Sequence, residues 1–217
     1  MPGYGSHLVK VFLLDDHDIV RRGLRDLLTA ATDIQVVGDA GSTRGAAEAI
    51  LELGADVMLL DLQLQDGTGI EVCRAVRAVN PAVRGLLLTS LNDDEALAAS
   101  VLAGAGGYIV KANQGADIIG AVRRLGGGRS STDPALVEPV VSRLRSQLAT
   151  LSLTEHEQQV LGDVLDGRTD GEIADRTGAD VSVVGQEVAA LVGRLTAWLM
   201  GQAHPAGEES PGRHRRD

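Results

Sequence analysis

The chain has 217 residues, enough for one large domain or two ordinary ones, and 44% of them are apolar while only 2% are aromatic. Its core must therefore be built from aliphatic side chains. The formal net charge of −10 argues against indiscriminate binding of nucleic acid through bulk charge, and the single cysteine, Cys73, excludes an intramolecular disulfide.

Strand and helix patterns alternate five times over residues 8–125. The apolar runs that predict strands cover 8–14, 34–37, 57–60, 85–89 and 107–110, and the helical patterns that follow them begin near 18, 43, 70, 93 and 116. The unbroken run at 57–60 is typical of a strand buried on both faces of a parallel sheet. We expect Asp18 to cap the first helix. The alternation predicts an α/β fold with a five-stranded, doubly wound parallel sheet.

A second, all-helical part follows the glycine run at 126–128, which predicts a domain boundary. Residues 126–150 form the predicted linker, with a helix over 134–148, and residues 151–200 are expected to form a small all-α domain. Thr154 and Glu157 match a capping box, and Asp170 is expected to cap a short helix. The polar segment 201–217 is predicted to be a disordered tail.

Polar side chains follow four of the predicted strands, namely Asp15 and Asp16, Asp61, Thr89 and Lys111. The carboxyl ends of parallel strands meet at one edge, where sites in such folds form. Clustered carboxylates repel one another, and their oxygens are suitable ligands for Mg²⁺. Asp61 can then attack phosphorus to give an aspartyl phosphate, with Lys111 and Thr89 binding the phosphoryl oxygens. Each residue alone is most simply a cap or a solvated group, but the combination favours a phosphoryl-transfer site.

Residues 8–125 resemble the receiver domains of two-component response regulators in these motifs and over their full length. The resemblance implies that a sensor histidine kinase phosphorylates Asp61. It also implies that Asp15, Asp16 and Asp61 bind Mg²⁺, with the main-chain carbonyl of Gln63 as a further ligand. Receivers use Mg²⁺ as their cofactor, so a magnesium site is expected at this edge.

The same resemblance places Tyr108, three residues before Lys111, at the family's aromatic switch position. Thr89 is implied to act with it when the phosphoryl group arrives, and a phosphorylation-dependent homodimer is the expected result. Gln65 departs from the family, since relatives usually carry proline in the turn after the phosphoacceptor. The departure removes no catalytic group.

Residues 151–195 resemble the LuxR-type helix-turn-helix output domain, which makes the whole chain similar to NarL/FixJ regulators. The opening motif lies at 153–161 and the scaffold helix at 172–174. Where relatives carry Thr-Val-Lys, this chain has Val-Val-Gly at 183–185. The resemblance implies that the helix from Ser182 enters the major groove of DNA, with Gln186 and Arg194 as the other candidate contacts.

The charge of this second part makes DNA binding doubtful. Residues 151–200 contain nine acidic and three basic side chains, a net charge of −6, whereas Lys and Arg contacts to phosphates supply most non-specific DNA affinity. One alternative is therefore a phosphorylation-controlled protein-interaction switch that has lost DNA binding. A metal-dependent phosphohydrolase or phosphotransferase is a third hypothesis, but Gln63 stands where a second catalytic acid would be needed. We expect a regulator and not an enzyme.

The last predicted helix carries apolar residues at a 3-4-3-4-3 spacing: Val181, Val184, Val188, Leu191, Leu195 and Trp198. This stripe is either a coiled-coil seam or the core face of the helix-turn-helix, and we favour the core face. No apolar run approaches 18 residues and no secretory leader is visible, so we expect a cytoplasmic protein without a membrane partner.

Overall fold

The structure, a computed structural model, describes residues 8–91, 93–112, 117–148 and 153–203. Two parts follow one another along the chain: an α/β part from β1 to α5, and a helical part made of α7, α8 and α9, with α6 between them. The elements in chain order are β1 (Val9–Leu14), α1 (Asp18–Thr29), β2 (Ile34–Ala40), α2 (Ala46–Glu52), β3 (Val57–Asp61), β4 (Gln63–Leu64), β5 (Gly67–Thr68), α3 (Gly69–Val79), β6 (Arg84–Thr89), α4 (Asp93–Ala103), β7 (Gly107–Val110), α5 (Ile118–Gly126), α6 (Pro134–Leu148), α7 (Glu155–Leu165), α8 (Asp170–Thr177) and α9 (Val181–Ala203).

The main sheet has five parallel strands in the order β2-β1-β3-β6-β7, which confirms the predicted doubly wound fold. The strand order changes direction between β1 and β3, and such a switch point opens a crevice at the carboxyl ends of the two strands. Strand β2 continues to Ala40, beyond the predicted 34–37, and α2 begins at Ala46 instead of residue 43.

Helices cover both faces of the sheet. The residues that α1 and α5 bury against one face include Leu24, Leu28, Val122 and Leu125. Helices α2, α3 and α4 cover the other face, and all residues of β3 are buried between the two layers. As the composition requires, both layers are almost wholly aliphatic, and tight burial of branched side chains is the main stabilising contribution.

Two predicted helix caps are wrong. Helix α1 begins at Asp18 itself, after His17, and Asp18 instead pairs with Arg21 at 2.5 Å. The cap of α8 is Thr169, whose hydroxyl accepts a hydrogen bond from the amide of Glu172. Asp170 lies in the first turn and is buried, because its carboxylate pairs with a residue distant in sequence. The predicted capping box of Thr154 and Glu157 is present at α7.

Helix α9 is longer than predicted and buries most of its apolar stripe within the chain. Val184, Val188, Leu191 and Leu195 are buried, and Trp198 packs against the same cluster. The stripe is therefore a core face in this arrangement and not a free coiled-coil seam. Neither α9 nor any other helix within the described residues is long and apolar enough to cross a bilayer. Residues 204–217 of the predicted tail lie outside the described residues.

The two parts pack against each other through the outer faces of α3 and α4. The apolar cluster on that side of the sheet continues without a break into α7, α8 and α9. The guanidinium of Arg74 on α3 forms a buried ion pair with Asp170 on α8, and its Nη1 donates to the carbonyl of Leu102 at 3.1 Å. Removing one member of a buried pair typically costs about 3–5 kcal/mol, so this contact strongly favours one arrangement of the two parts.

A short antiparallel hairpin of β4 and β5 follows β3, where the sequence predicts only a turn. It delivers the chain to α3, whose first residue, Gly69, lies directly against the end of β3. A Cβ atom at Gly69 would come within 2.3 Å of the carbonyl oxygen of Asp61. Only glycine allows the helix to begin this close to the strand end.

Replacement of Gly69 by alanine should destabilise the protein by about 1–3 kcal/mol, because the backbone must move to relieve the overlap. The matched control is Gly23→Ala in α1, where an added methyl group meets nothing within 4 Å. That change should instead stabilise the protein by about 0.5–1 kcal/mol through helix propensity. Chemical denaturation of both variants measures the difference, and equal midpoints would contradict the close approach.

Candidate functional site

The polar residues predicted at the strand ends lie at the same edge of the sheet. Asp15 follows β1, Asp61 ends β3, Thr89 ends β6, and Lys111 follows β7. Asp15, Asp61 and Thr89 are buried, while Lys111 is half-buried. The amide of Lys111 donates to the carbonyl of Thr89 at 2.7 Å, which continues the ladder between β6 and β7 by one bond. The parallel sheet thus brings together residues up to 96 positions apart.

The ammonium group of Lys111 bridges two carboxylates. Its Nζ donates to Asp61 Oδ2 at 2.6 Å and to Asp15 Oδ2 at 3.1 Å. Burial raises the pKa of the Asp61 carboxyl, and Lys111 partly offsets that rise. Although burial opposes it, the contacts with Asp61 and Asp15 raise the pKa of Lys111. The bridge therefore keeps a charged carboxylate in a site that water reaches poorly.

Asp16 retains an unused ligand atom in this cluster. Its Oδ2 accepts a hydrogen bond from the Gln65 amide at 3.1 Å, whereas its buried Oδ1 has no hydrogen bond and is only in contact with the His17 imidazole, 2.8 Å away. A buried carboxylate oxygen without a partner is costly unless a cation or water satisfies it. Ligand atoms of Asp15, Asp16, His17 and Asp61 all lie within 4.8 Å of one another. This oxygen-rich set fits a hard divalent cation such as Mg²⁺.

His17 was not assigned a role from the sequence. Its Nδ1 lies 2.8 Å from Asp16 Oδ1 and 3.3 Å from Asp15 Oδ1. The sequence contained a signal for such a role, because histidine is a common metal ligand and His17 directly follows two acidic residues. The hydrophobic pattern indicated only that His17 lies in the loop between the first strand and the first helix.

Gln63 and Gln65 both lie in the hairpin that follows Asp61. The amide of Gln63 donates to Asp61 Oδ1 at 3.3 Å, which places this residue beside the Asp61 carboxylate. The Gln65 amide holds Asp16, as described above. A proline at position 65, as relatives usually carry, would have no N–H group for this bond. Gln65 in place of proline therefore gives the site a hydrogen bond that proline could not form.

Tyr108 lies on β7, three residues before Lys111, and is half-buried against the apolar cluster on the α4 side. It borders an open cavity of about 390 Å³ whose other walls come from α5 and the start of α6. The hydroxyl of Thr89 accepts a hydrogen bond from the Leu91 amide at 3.0 Å. Both residues thus occupy the same side of the sheet edge.

The predicted DNA contacts lie on α9, far from this edge in sequence. Ser182 and Gln186 are exposed on its first two turns, and the Ser182 hydroxyl donates to Asp180 at 2.5 Å. Arg194 lies about 12 Å further along the helix and pairs with Glu157 at 2.5 Å. The structure brings Ser182 and Gln186 together but separates Arg194 from them.

Comparison with known proteins agrees with this architecture. Residues 11–123 match the family model of the response regulator receiver domain. The chain is also 41% identical over 192 residues to the DNA-binding transcriptional activator DevR/DosR of Mycobacterium tuberculosis. That match covers 87% of this chain and 88% of the relative.

Solved structures give the same family. The structure of a LuxR-family two-component response regulator from Aurantimonas sp. SI85-9A1 is 29% identical with a TM-score of 0.55, covering 62% of this chain and 96% of that one. The RcsB response regulator of Salmonella typhimurium shares the fold at 23% identity, with a TM-score of 0.52 over 90% of this chain and 93% of the other. As the sequence predicts, the chain belongs to the response regulators of two-component systems, in their LuxR-type, NarL/FixJ branch.

Proposed function

We propose that this protein is a cytoplasmic transcription regulator that a sensor histidine kinase switches by phosphorylating Asp61. In this proposal residues 8–125 are the receiver domain, 126–150 the linker and 151–200 the DNA-binding output domain. The observation that carries it is the contact of Lys111 with Asp61 and Asp15 within a cluster that also contains Asp16. The likeness to a transcriptional activator over most of both chains supports the regulatory part.

In the chemical step, a carboxylate oxygen of Asp61 attacks the phosphorus of a phosphohistidine. A P–O bond forms, the P–N bond breaks, and the departing imidazole takes up a proton from solvent. Lys111, 2.6 Å from Asp61, balances the negative charge that gathers on the phosphoryl oxygens. The Thr89 hydroxyl, which now accepts from Leu91, keeps its own hydrogen available to donate to one of these oxygens.

Mg²⁺ in this site would supply charge that draws the phosphoryl oxygens towards Asp61. Asp15, Asp16 and Asp61 would hold it, together with the carbonyl of Gln63. The buried Oδ1 of Asp16 supports this assignment, because it accepts no hydrogen bond and the cation would satisfy it. The Gln65 amide fixes the Asp16 carboxylate so that its free oxygen faces the cluster.

A phosphoryl group on Asp61 that draws in the Thr89 hydroxyl would change the packing next to Tyr108, which already borders an open cavity. Inward rotation of Tyr108 would alter the surface formed by α4 and β7. We assign the phosphorylation-dependent homodimer to this surface or to α6. Exposed Leu136 at the start of α6 provides apolar area for such a contact.

Asp61→Asn should abolish labelling by the phosphodonor acetyl phosphate in Mg²⁺, because the amide is a far weaker nucleophile than the carboxylate. Asp56→Asn is the matched control, since Asp56 lies at the opposite end of the same strand and accepts a hydrogen bond from Lys10. Labelling is followed by intact-protein mass spectrometry. Unchanged labelling of the Asp61 variant would contradict the assignment, as would an equal loss in both.

Asp16→Asn should weaken Mg²⁺ binding by at least about tenfold, in line with the loss of one charged ligand. Asp18→Asn removes the same charge two residues away, from a side chain that points to solvent and Arg21. It should leave the affinity nearly unchanged. Isothermal titration calorimetry of the unphosphorylated protein measures both, and equal affinities would remove Asp16 from the ligand set.

We propose that the protein regulates transcription by binding DNA through α9, and that its affinity for DNA is weak. Ser182 and Gln186 are exposed at the start of α9, but Glu187 pairs with His156 there and Arg194 is engaged by Glu157. Few positive charges are available for phosphates, so binding should depend little on salt and should require a dimer. The protein-interaction alternative explains the acidic charge, but the likeness to a DNA-binding activator favours transcription.

Gln186→Lys should raise DNA affinity and steepen its salt dependence by about one phosphate contact, because the residue lies at the exposed start of α9. Gln35→Lys adds the same charge at an exposed position on β2 and should change neither quantity. The phosphorylated protein is titrated into labelled duplex at two salt concentrations, with anisotropy as the readout. An equal effect of both variants would mean that only net charge matters.

A further inference from the structure

A cavity of about 360 Å³ lies between the α/β part and the helical part. Arg84 at the start of β6, Gly106 before β7, the end of α4 and the segment after α5 form one side of it. Val137 of α6 and the turn between α7 and α8 form the other. Since Asp61 lies at the carboxyl end of its strand, the cavity is at the opposite edge of the sheet. Its volume is within the range of small-molecule sites.

Three arginines line this cavity: Arg77, Arg84 and Arg129. Within the described residues, none of the three guanidinium groups has an ion pair or a hydrogen bond, and the Nε of Arg77 is buried without a partner. Burial lowers the pKa of Arg77, and the charges of Arg84 and Arg74 add to this, while Cys73 and the carboxylate of Glu172 partly offset it. The positive charges of Arg77 and Arg84 therefore repel each other at this cavity.

The single carboxylate among the lining residues does not neutralise them. Asp166 is already bound by Arg145 at 2.5 Å and by Arg168 at 3.0 Å. Several other arginines of the α/β part are paired with acids, as Arg25 is with Asp39 and Arg123 with Asp33. What sets Arg77, Arg84 and Arg129 apart is that three arginines without ion pairs among the described residues line the same cavity, where an anion from outside could neutralise them.

The chemistry of the lining indicates the class of anion. Guanidinium groups bind phosphate oxygens bidentately and retain their charge when partly buried. Leu125, Val137 and Leu165 provide apolar walls next to the arginines, which suits a ligand with an organic moiety. We propose that this cavity binds a small organic phosphate of about nucleotide size. The site is independent of phosphoryl transfer at Asp61 and of DNA binding by α9.

A ligand in this position would connect the two parts of the chain. It would contact the α/β part through Arg77 and Arg84 and the helical part through the turn at 165–167. A ligand that binds the packed arrangement stabilises that arrangement by mass action. The concentration of the organic phosphate would therefore oppose separation of the two parts, as a second input beside phosphorylation.

The test is isothermal titration calorimetry of the full chain with ADP, inorganic pyrophosphate and adenosine. EDTA is included so that no metal–nucleotide complex binds at the carboxylate cluster. We expect ADP to bind with one site per chain, pyrophosphate to bind more weakly, and adenosine not to bind. Arg84→Gln combined with Arg129→Gln should weaken ADP binding by at least about tenfold. Arg129→Gln alone, at an exposed position, should give an intermediate loss and guards against misfolding of the double variant.

The matched control combines Arg25→Gln with Arg123→Gln, which removes two positive charges from paired, surface arginines. It should bind ADP as the unmodified protein does, and ADP should raise the melting temperature of both. Absence of ADP binding, or an equal loss in the control, would overturn the proposal. Equal binding of adenosine would exclude a phosphate site, and pyrophosphate as tight as ADP would exclude the organic moiety.

Discussion

The contact between the ammonium of Lys111 and two carboxylates is the interaction on which the candidate site depends. Asp15 and Asp61 are buried, and burial of charged carboxylates near one another is strongly unfavourable without a cation. One lysine cannot satisfy three acids, and the Oδ1 of Asp16 is buried without a hydrogen bond. The protein alone thus carries a local excess of negative charge, which a divalent cation can balance.

This electrostatic arrangement exists only because the sheet is parallel and its order changes direction at β1. Parallel strands place all their carboxyl ends on one side, and the switch point leaves space above β1 and β3. Gly69 then allows α3 to start within contact of Asp61, so that the loop and the helix enclose the site. The aliphatic core fixes strand positions closely, since it leaves little freedom for the backbone ends to shift.

Charge is distributed unevenly at the two edges of the sheet. The carboxyl edge is acidic and carries the site at Asp61, while the amino edge exposes Arg77 and Arg84 to the cavity beside the helical part. Between them, the ion pair of Arg74 with Asp170 holds α3 against α8. Packing of α9 on α3 and α4 buries the helix along its apolar face and leaves its first turns exposed.

Much of the fold and the receiver-like site was predictable from local pattern. Strand and helix periodicity identified the five-stranded sheet, and Asp15, Asp16, Asp61, Thr89 and Lys111 were predicted because each follows its own strand. Parallel topology requires such ends to meet, so short-range sequence information was sufficient. The aliphatic composition likewise determined the kind of core.

Other features depend on contacts between residues far apart in sequence, which no local pattern contains. The sequence predicted that Asp170 caps a helix. Its carboxylate instead pairs with Arg74, and this pairing exists only because α8 packs on α3. The role of the Gln65 amide depends on the position of Asp16, 49 residues earlier. The arginines of the cavity lie on separate elements, and only the packing of the two parts brings them to one cavity. Sequence alone determined which residues end each strand, while tertiary packing decided which charges were paired, because pairing depends on distances that only the folded chain establishes.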